Sequence, residues 1–144
     1  MSPTDLPPSL EAFKNTCRDA FSFVATHDFR EVSPQRNQNA FQVWFHRGDD
    51  FIIVQGEGYG TVASAHLEHV SGVELPIIHL VPPDARPAKW ERGNRQPSQL
   101  EQVCRQASWF ESYGGDFLQG DLDRFFRLAK PLPPWKERLS HDVA

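Results

Sequence analysis

Few residues in this chain have the types and spacing that chemistry needs. The first set is HLEH, His66 to His69. Imidazoles and carboxylates are metal ligands, but on a strand His66 and Glu68 project to one side and His69 to the other. Two converging groups fall short of the three or four that zinc takes. His46 is a possible third, because strand register would set it on the same face as Trp44 and Ile53. The expectation is a solvated sheet face, with no metal and no cofactor. Asp116, Asp121 and Asp123 lack the alternating oxygens, central glycine and distal Glu of a calcium loop; Asp116 and Asp121 suit helix capping instead. Arg86, Lys89, Arg92 and Arg95 recur every third residue around Trp90, and Arg with Trp can grip an anion. Asp84 and Glu91 dilute that charge, so a solvated loop is expected, with anion binding as the alternative.

The second set is QGEGYGTVASA, residues 55–65, with Gly56, Gly58 and Gly60 at alternate positions. The stretch resembles the Gly-rich loop of protein kinases, which also lies in a hairpin. It departs in spacing, GxGxG in place of GxGxxG, and no lysine occurs between Lys14 and Lys89 to meet a phosphate. A dinucleotide loop would need a helix to follow, where a strand is expected. The reading is a tight turn whose glycines supply positive φ. Cys17 and Cys104 both fall on apolar helical stripes, which predicts buried, inert thiols.

The elements that position these residues follow from periodicity. Ser9 can cap a helix whose apolar stripe is Leu10, Phe13, Cys17, Ala20, Phe21 and Val24, ending near 26–28. Phe41, Val43 and Phe45 alternate with Gln42, Trp44 and His46. Gly48-Asp49 then fits a two-residue hairpin turn, with Phe45 facing Ile52 and Val43 facing Val54. Ala63, Ala65 and Leu67 mark a third strand, and FREV, 29–32, a fourth. ELPIIHL reads as a strand or a helical turn, and residues 82–97 as a Pro-punctuated loop, so the conformation of 71–97 stays open. Ser98 and Glu101 make a capping box for a helix that ends at Gly114-Gly115. Asp121 can cap a last helix through Phe126 and Ala129 that Pro131 stops. The fold class is therefore α+β: a two-layer domain over 1–130, an antiparallel meander of three to four strands with an N-terminal helix and two C-terminal helices. Residues 131–144 read as an extended Pro-rich tail.

The bulk properties exclude some functions. The chain has 144 residues, 39% of them hydrophobic, with 11 Phe and 4 Trp, enough for one sizeable core. Its net charge of −4 argues against nucleic acid as a partner. The longest purely apolar run, Phe51 to Val54, is far short of a membrane span. MSPTDLPPSL offers no basic region followed by an apolar one, so no secretory signal is expected, and the placement is cytoplasmic.

Two passages, FSFVATHDFREV and ASWFESYGGDFLQGDLDRFFRL, together resemble the opening and closing patterns of many small bacterial α+β proteins, some of them immunity proteins that accompany secreted toxins. His27-Asp28 stands where those proteins carry Tyr-Gly. The resemblance implies the fold and a toxin as partner, and no catalytic residue; the acidic balance of the chain suits a basic toxin domain. The residues read independently of it also point to a partner. If helices cover only the Phe45 face, Trp44, Phe51 and Ile53 form an exposed apolar patch, rimmed by Asp49, Asp50, Glu57 and Glu68. The expectation is a non-enzymatic protein-binding module, monomer or homodimer, contacting its partner through Trp44, Asp49, Asp50, Phe51, Glu57 and Glu68. The alternative is a small-molecule or anion binder using Arg86, Lys89, Trp90, Arg92 and Arg95.

Overall fold

A computed structural model of the chain describes residues 7–36, 39–87 and 97–142. Six antiparallel strands follow one another in space as in sequence. They are β1 (Arg30–Val32), β2 (Gln42–Arg47), β3 (Asp50–Glu57), β4 (Val62–His69), β5 (Val73–Pro76) and β6 (Lys130–Pro131). The register of the central hairpin is the one its alternation dictates, with Phe45 opposite Ile52 and Val43 opposite Val54. Arg47 pairs with Asp50, leaving Gly48-Asp49 as a two-residue turn, and Gly48 takes φ 57°. The FREV segment supplies β1, which pairs with β2 from Arg30 to Val32.

The meander is longer than the three to four strands expected. ELPIIHL is both of its alternatives in succession: β5 ends at Pro76 and a 3-10 turn covers Ile77–Leu80. A two-residue strand at 130–131 then returns to the free edge of β5.

Four α-helices are present among the described residues: α1 (Leu10–Ala20), α2 (Gln99–Tyr113), α3 (Gly115–Leu118) and α4 (Asp123–Leu128). Ser9 caps α1, accepting from the Ala12 amide, and a 3-10 turn extends it to His27, where Asp28 adopts φ 68°. The Ser98–Glu101 capping box starts α2. Asp121 accepts from the Asp123 amide at the head of α4, and Asp116 binds the Arg124 guanidinium through both oxygens. Asp116 is thus an ion-pair partner as well as a first-turn acid. The helices cover one face of the sheet, where Phe13, Phe21, Phe45, Ile52, Leu67, Phe110 and Phe117 share the main core. Gly56 lets β3 approach α2: a Cβ there would sit 2.4 Å from the Gln99 side-chain nitrogen.

Cys17 is buried as its stripe requires, but Cys104 is exposed. The buried stripe of α2 is Gln99, Val103, Ala107 and Phe110, and Cys104 stands one position, about 100° of helix rotation, off it.

Candidate functional site

Glycines 58 and 60 and the residue between them form the tip of the β3–β4 hairpin. Gly58, Tyr59 and Gly60 all have positive φ, at 64°, 56° and 86°. Glycine adopts this region freely; tyrosine does so only at a cost. The tip is nevertheless tightly held. The Thr61 amide donates to both Glu57 and Gly58 carbonyls, and its hydroxyl donates to the Gly58 carbonyl at 2.6 Å. From α2, Gln102 donates to the Thr61 carbonyl and accepts from the Ala63 amide, and Gln99 donates to the Val62 carbonyl. Pro7 packs against Gly60 from the other side. What this frame presents is Tyr59, with 99% of its surface exposed.

The second face of the sheet is not open. After α4 the chain pairs briefly with β5, turns at Pro133–Lys136 and crosses back over that face, forming a strap over 130–142. Leu139 lands on Trp44, Phe51 and Ile53 and closes a second, smaller core. Trp44 and Phe51 are therefore buried, which corrects the expected apolar patch. The Pro-rich opening of the tail reads as a linker, yet the residues after it are a cover. Gln35 exchanges two hydrogen bonds with the Ser140 backbone, and Arg36 donates to the Glu137 carbonyl.

Beneath the strap lies a charged cluster. Glu68, fully buried, takes a bidentate pair from Arg36 at 3.0 and 2.6 Å and contacts His66 Nε2 at 3.2 Å. Lys136 from the strap lies 2.6 Å from Glu74 and 3.7 Å from Glu68. Burial pushes the Glu68 carboxyl up, but the hydrogen bonds of His66 and Arg36 outweigh it and hold it below its ordinary value. Glu68 is thus an internal anchor, not part of an acidic rim. Asp50 is also misplaced in that rim: its register beside Ile52 sends it to the helix-covered face, next to Arg47 and His69. Burial raises its carboxyl above the usual value. Asp49 and Glu57 alone of the six expected contact residues are exposed, and eight strand positions hold them about 26 Å apart.

His66, Glu68 and Glu74 bring three ligand atoms within 4.8 Å of one another. The third group is Glu74, opposite Glu68 in the ladder, and neither His46 nor His69. His46 binds the Gly48 carbonyl, and His69 binds Ser71 and packs on Phe126. Arg36 and Lys136 already supply two positive charges to the two carboxylates, which balances the charge that a metal would otherwise balance. A cleft of about 270 Å³ remains between strap and sheet, floored by Trp44 and Ile53 and edged by Gln55, Glu57 and Trp135.

Of the alternative anion-binding loop, Arg86 donates its Nε to the Val81 carbonyl. Lys89, Trp90, Arg92 and Arg95 lie outside the described residues. Burial drives the Cys17 thiol up to about 12, which removes it as a nucleophile. Sequence reasoning missed Tyr59, Arg36, Glu74, Lys136 and Leu139. Tyr59 was legible as the one bulky residue between two glycines; Lys136 and Leu139 stand in WKERL, a basic-apolar pair three residues apart after the prolines.

No family model, curated protein or solved structure matches the chain. Among the described residues no helix is long and apolar enough to cross a membrane.

Proposed function

We propose that the chain is a non-catalytic protein-binding domain that docks through the β3–β4 tip, with Tyr59 as its anchor. One observation carries this reading: a bulky aromatic residue is held fully exposed, in a backbone conformation that glycine would adopt at lower cost, by a frame of hydrogen bonds from α2. Tyrosine supplies large contact area with little side-chain entropy to lose, which is why it recurs at binding hot spots. Glu57, exposed at the base of the tip, adds a negative charge beside the anchor. The polar groups nearest to a catalytic arrangement, His66, Glu68 and Glu74, are tied to Arg36 and Lys136, which supports binding over chemistry.

The finer reading is an immunity-type inhibitor that covers a bacterial toxin in the cytoplasm. Its support is the resemblance of residues 21–32 and 107–128 to such proteins, together with a net charge of −4 that favours encounter with a basic domain. The experiment is site-specific photo-crosslinking in the native host, with the reactive residue placed at position 59 and, as control, at Glu111 on the exposed face of α2. The expected result is one discrete adduct from position 59 and none from 111, and loss of the captured protein's toxic activity at a 1:1 ratio. Equal labelling from both positions would refute the docking surface. An adduct with a harmless protein would refute only the immunity reading.

A further inference from the structure

The strap is held differently from the rest of the fold. Leu139 is its one buried apolar residue among those described, and β6 contributes only a two-residue pairing. Its other ties are one backbone bond, from the Leu132 amide to the Gly72 carbonyl, and side-chain bonds: Lys136 to Glu74, Gln35 to Ser140, Arg36 to Glu137, and His141 near Asp49 at 3.5 Å. A segment with few buried apolar contacts opens at far lower free energy than a core strand. Beneath it lie two aromatics in edge contact, Trp44 and Phe51 at 5.9 Å, beside Ile53. The uncovered face would carry four carboxylates, Asp49, Glu57, Glu68 and Glu74, against two guanidiniums, Arg30 and Arg36, a net of −2. The strap answers that surface by turning Lys136 inward while Glu137 stays exposed.

We infer that this face is a covered groove for an extended basic segment of another protein, one carrying a Lys or Arg and, three residues on, a Leu, with the chain's own strap as the resident competitor. Charge complementarity selects the occupant: the groove keeps the buried Glu68 beside the half-buried Glu74 for a cation and an aromatic floor for an aliphatic side chain, at the spacing that Lys136 and Leu139 display. The tether gives the strap a high effective concentration, so a foreign segment must bind tightly or meet a strap already weakened. The groove lies on the second face and shares with the tip only Glu57 at its edge, while its floor and its cation pair are distinct from Tyr59, so the two proposals fail independently.

The test is an anisotropy titration of the full-length chain with a fluorescein-labelled synthetic peptide copying residues 130–142. The chain carrying Leu139→Ser is expected to bind this peptide at least tenfold more tightly than the wild type, because its own cover is weakened. The same peptide carrying Lys136→Glu and Leu139→Ser is expected to lose that binding, and Tyr59→Gly in the chain to leave it unchanged. Equal binding of the two peptides, or no gain from Leu139→Ser, would overturn the proposal. Should that variant fail to fold, hydrogen exchange of the wild type decides. The bonded amides of Leu132 and Ser140 are expected to open at least a hundredfold more often than those of β3 and β4. Opening only together with the core would overturn it. A concentration-dependent dimer with exchanged straps would assign the groove to a second copy and overturn the assignment to another protein.

Discussion

Tyr59 sits at φ 56° between two glycines that need no such support. A tyrosine held there costs about 1 kcal/mol that glycine avoids. Tyr59→Gly is therefore expected to keep or raise stability, by up to about 1 kcal/mol, while weakening partner binding at least a hundredfold; paired thermal melts and binding titrations check both halves. Glu68 behaves in the opposite way, as a residue that the fold depends on. Arg36→Ala leaves its buried carboxylate without the bidentate partner and is expected to cost about 3 kcal/mol in urea unfolding at neutral pH. The double change Arg36→Met with Glu68→Leu is expected to cost less than that single one. Because the Glu68 pKa is lowered on folding, its contribution is complete above the unfolded value of 4.5 and is lost as pH falls through the folded one. Asp50 has the reverse sign: burial raises its pKa, so its contribution is present below 3.8 and lost as pH rises through the folded value. Asp50→Asn is accordingly expected to raise the melting temperature at pH 7 and to have less effect at pH 3, read by pH-resolved melting curves.

At the scale of elements, two features decide how the surfaces are arranged. Gly56 is a spacing residue: Gly56→Ala would set a Cβ against the Gln99 amide and the Phe13 ring, at 2.4 and 3.1 Å. Since Gln99 also ties the hairpin to α2, the change is expected to cost about 1–3 kcal/mol and to loosen the tip, visible as faster exchange of the Ala63 amide. The strap is the other feature. Leu139→Ala is expected to cost about 2–3 kcal/mol, with Trp44 fluorescence shifting to the red as water reaches the indole. The central hairpin was legible in the sequence because alternation fixes both its register and its faces. The capping box at Ser98 was legible for a similar reason: two residues at fixed spacing satisfy two orphan amides. The strap was not legible, because an irregular segment has no period and prolines read as a linker. Neither was Glu68's role, since an acid on an alternating strand looks solvated until Arg36, from an unpatterned polar run, and Lys136, from a distant tail, arrive over it. Asp50 was misread because acidity was weighed without following its register to the opposite face.

The whole molecule is an open antiparallel sheet with helices on one face and its own C-terminal segment on the other. That division explains why periodicity could indicate an α+β domain and composition one large core, yet both could misjudge which aromatics remain outside. Charge belongs to this scale too. A net charge of −4 favours encounter with basic partners, and that attraction is screened by salt. Association with the protein captured at position 59 is expected to slow several-fold between 50 and 300 mM salt, whereas dissociation, set by the tyrosine anchor, changes little; stopped-flow or surface-based kinetics separate the two rates. The measurement that bears most directly on the central claim is the affinity of that captured protein for the wild-type chain and for Tyr59→Gly, taken side by side at a temperature well below both melts. The account expects at least a hundredfold loss with the melt unchanged or raised. Undiminished affinity in a stable Tyr59→Gly chain would contradict it and return the search for the interface to the rest of the surface.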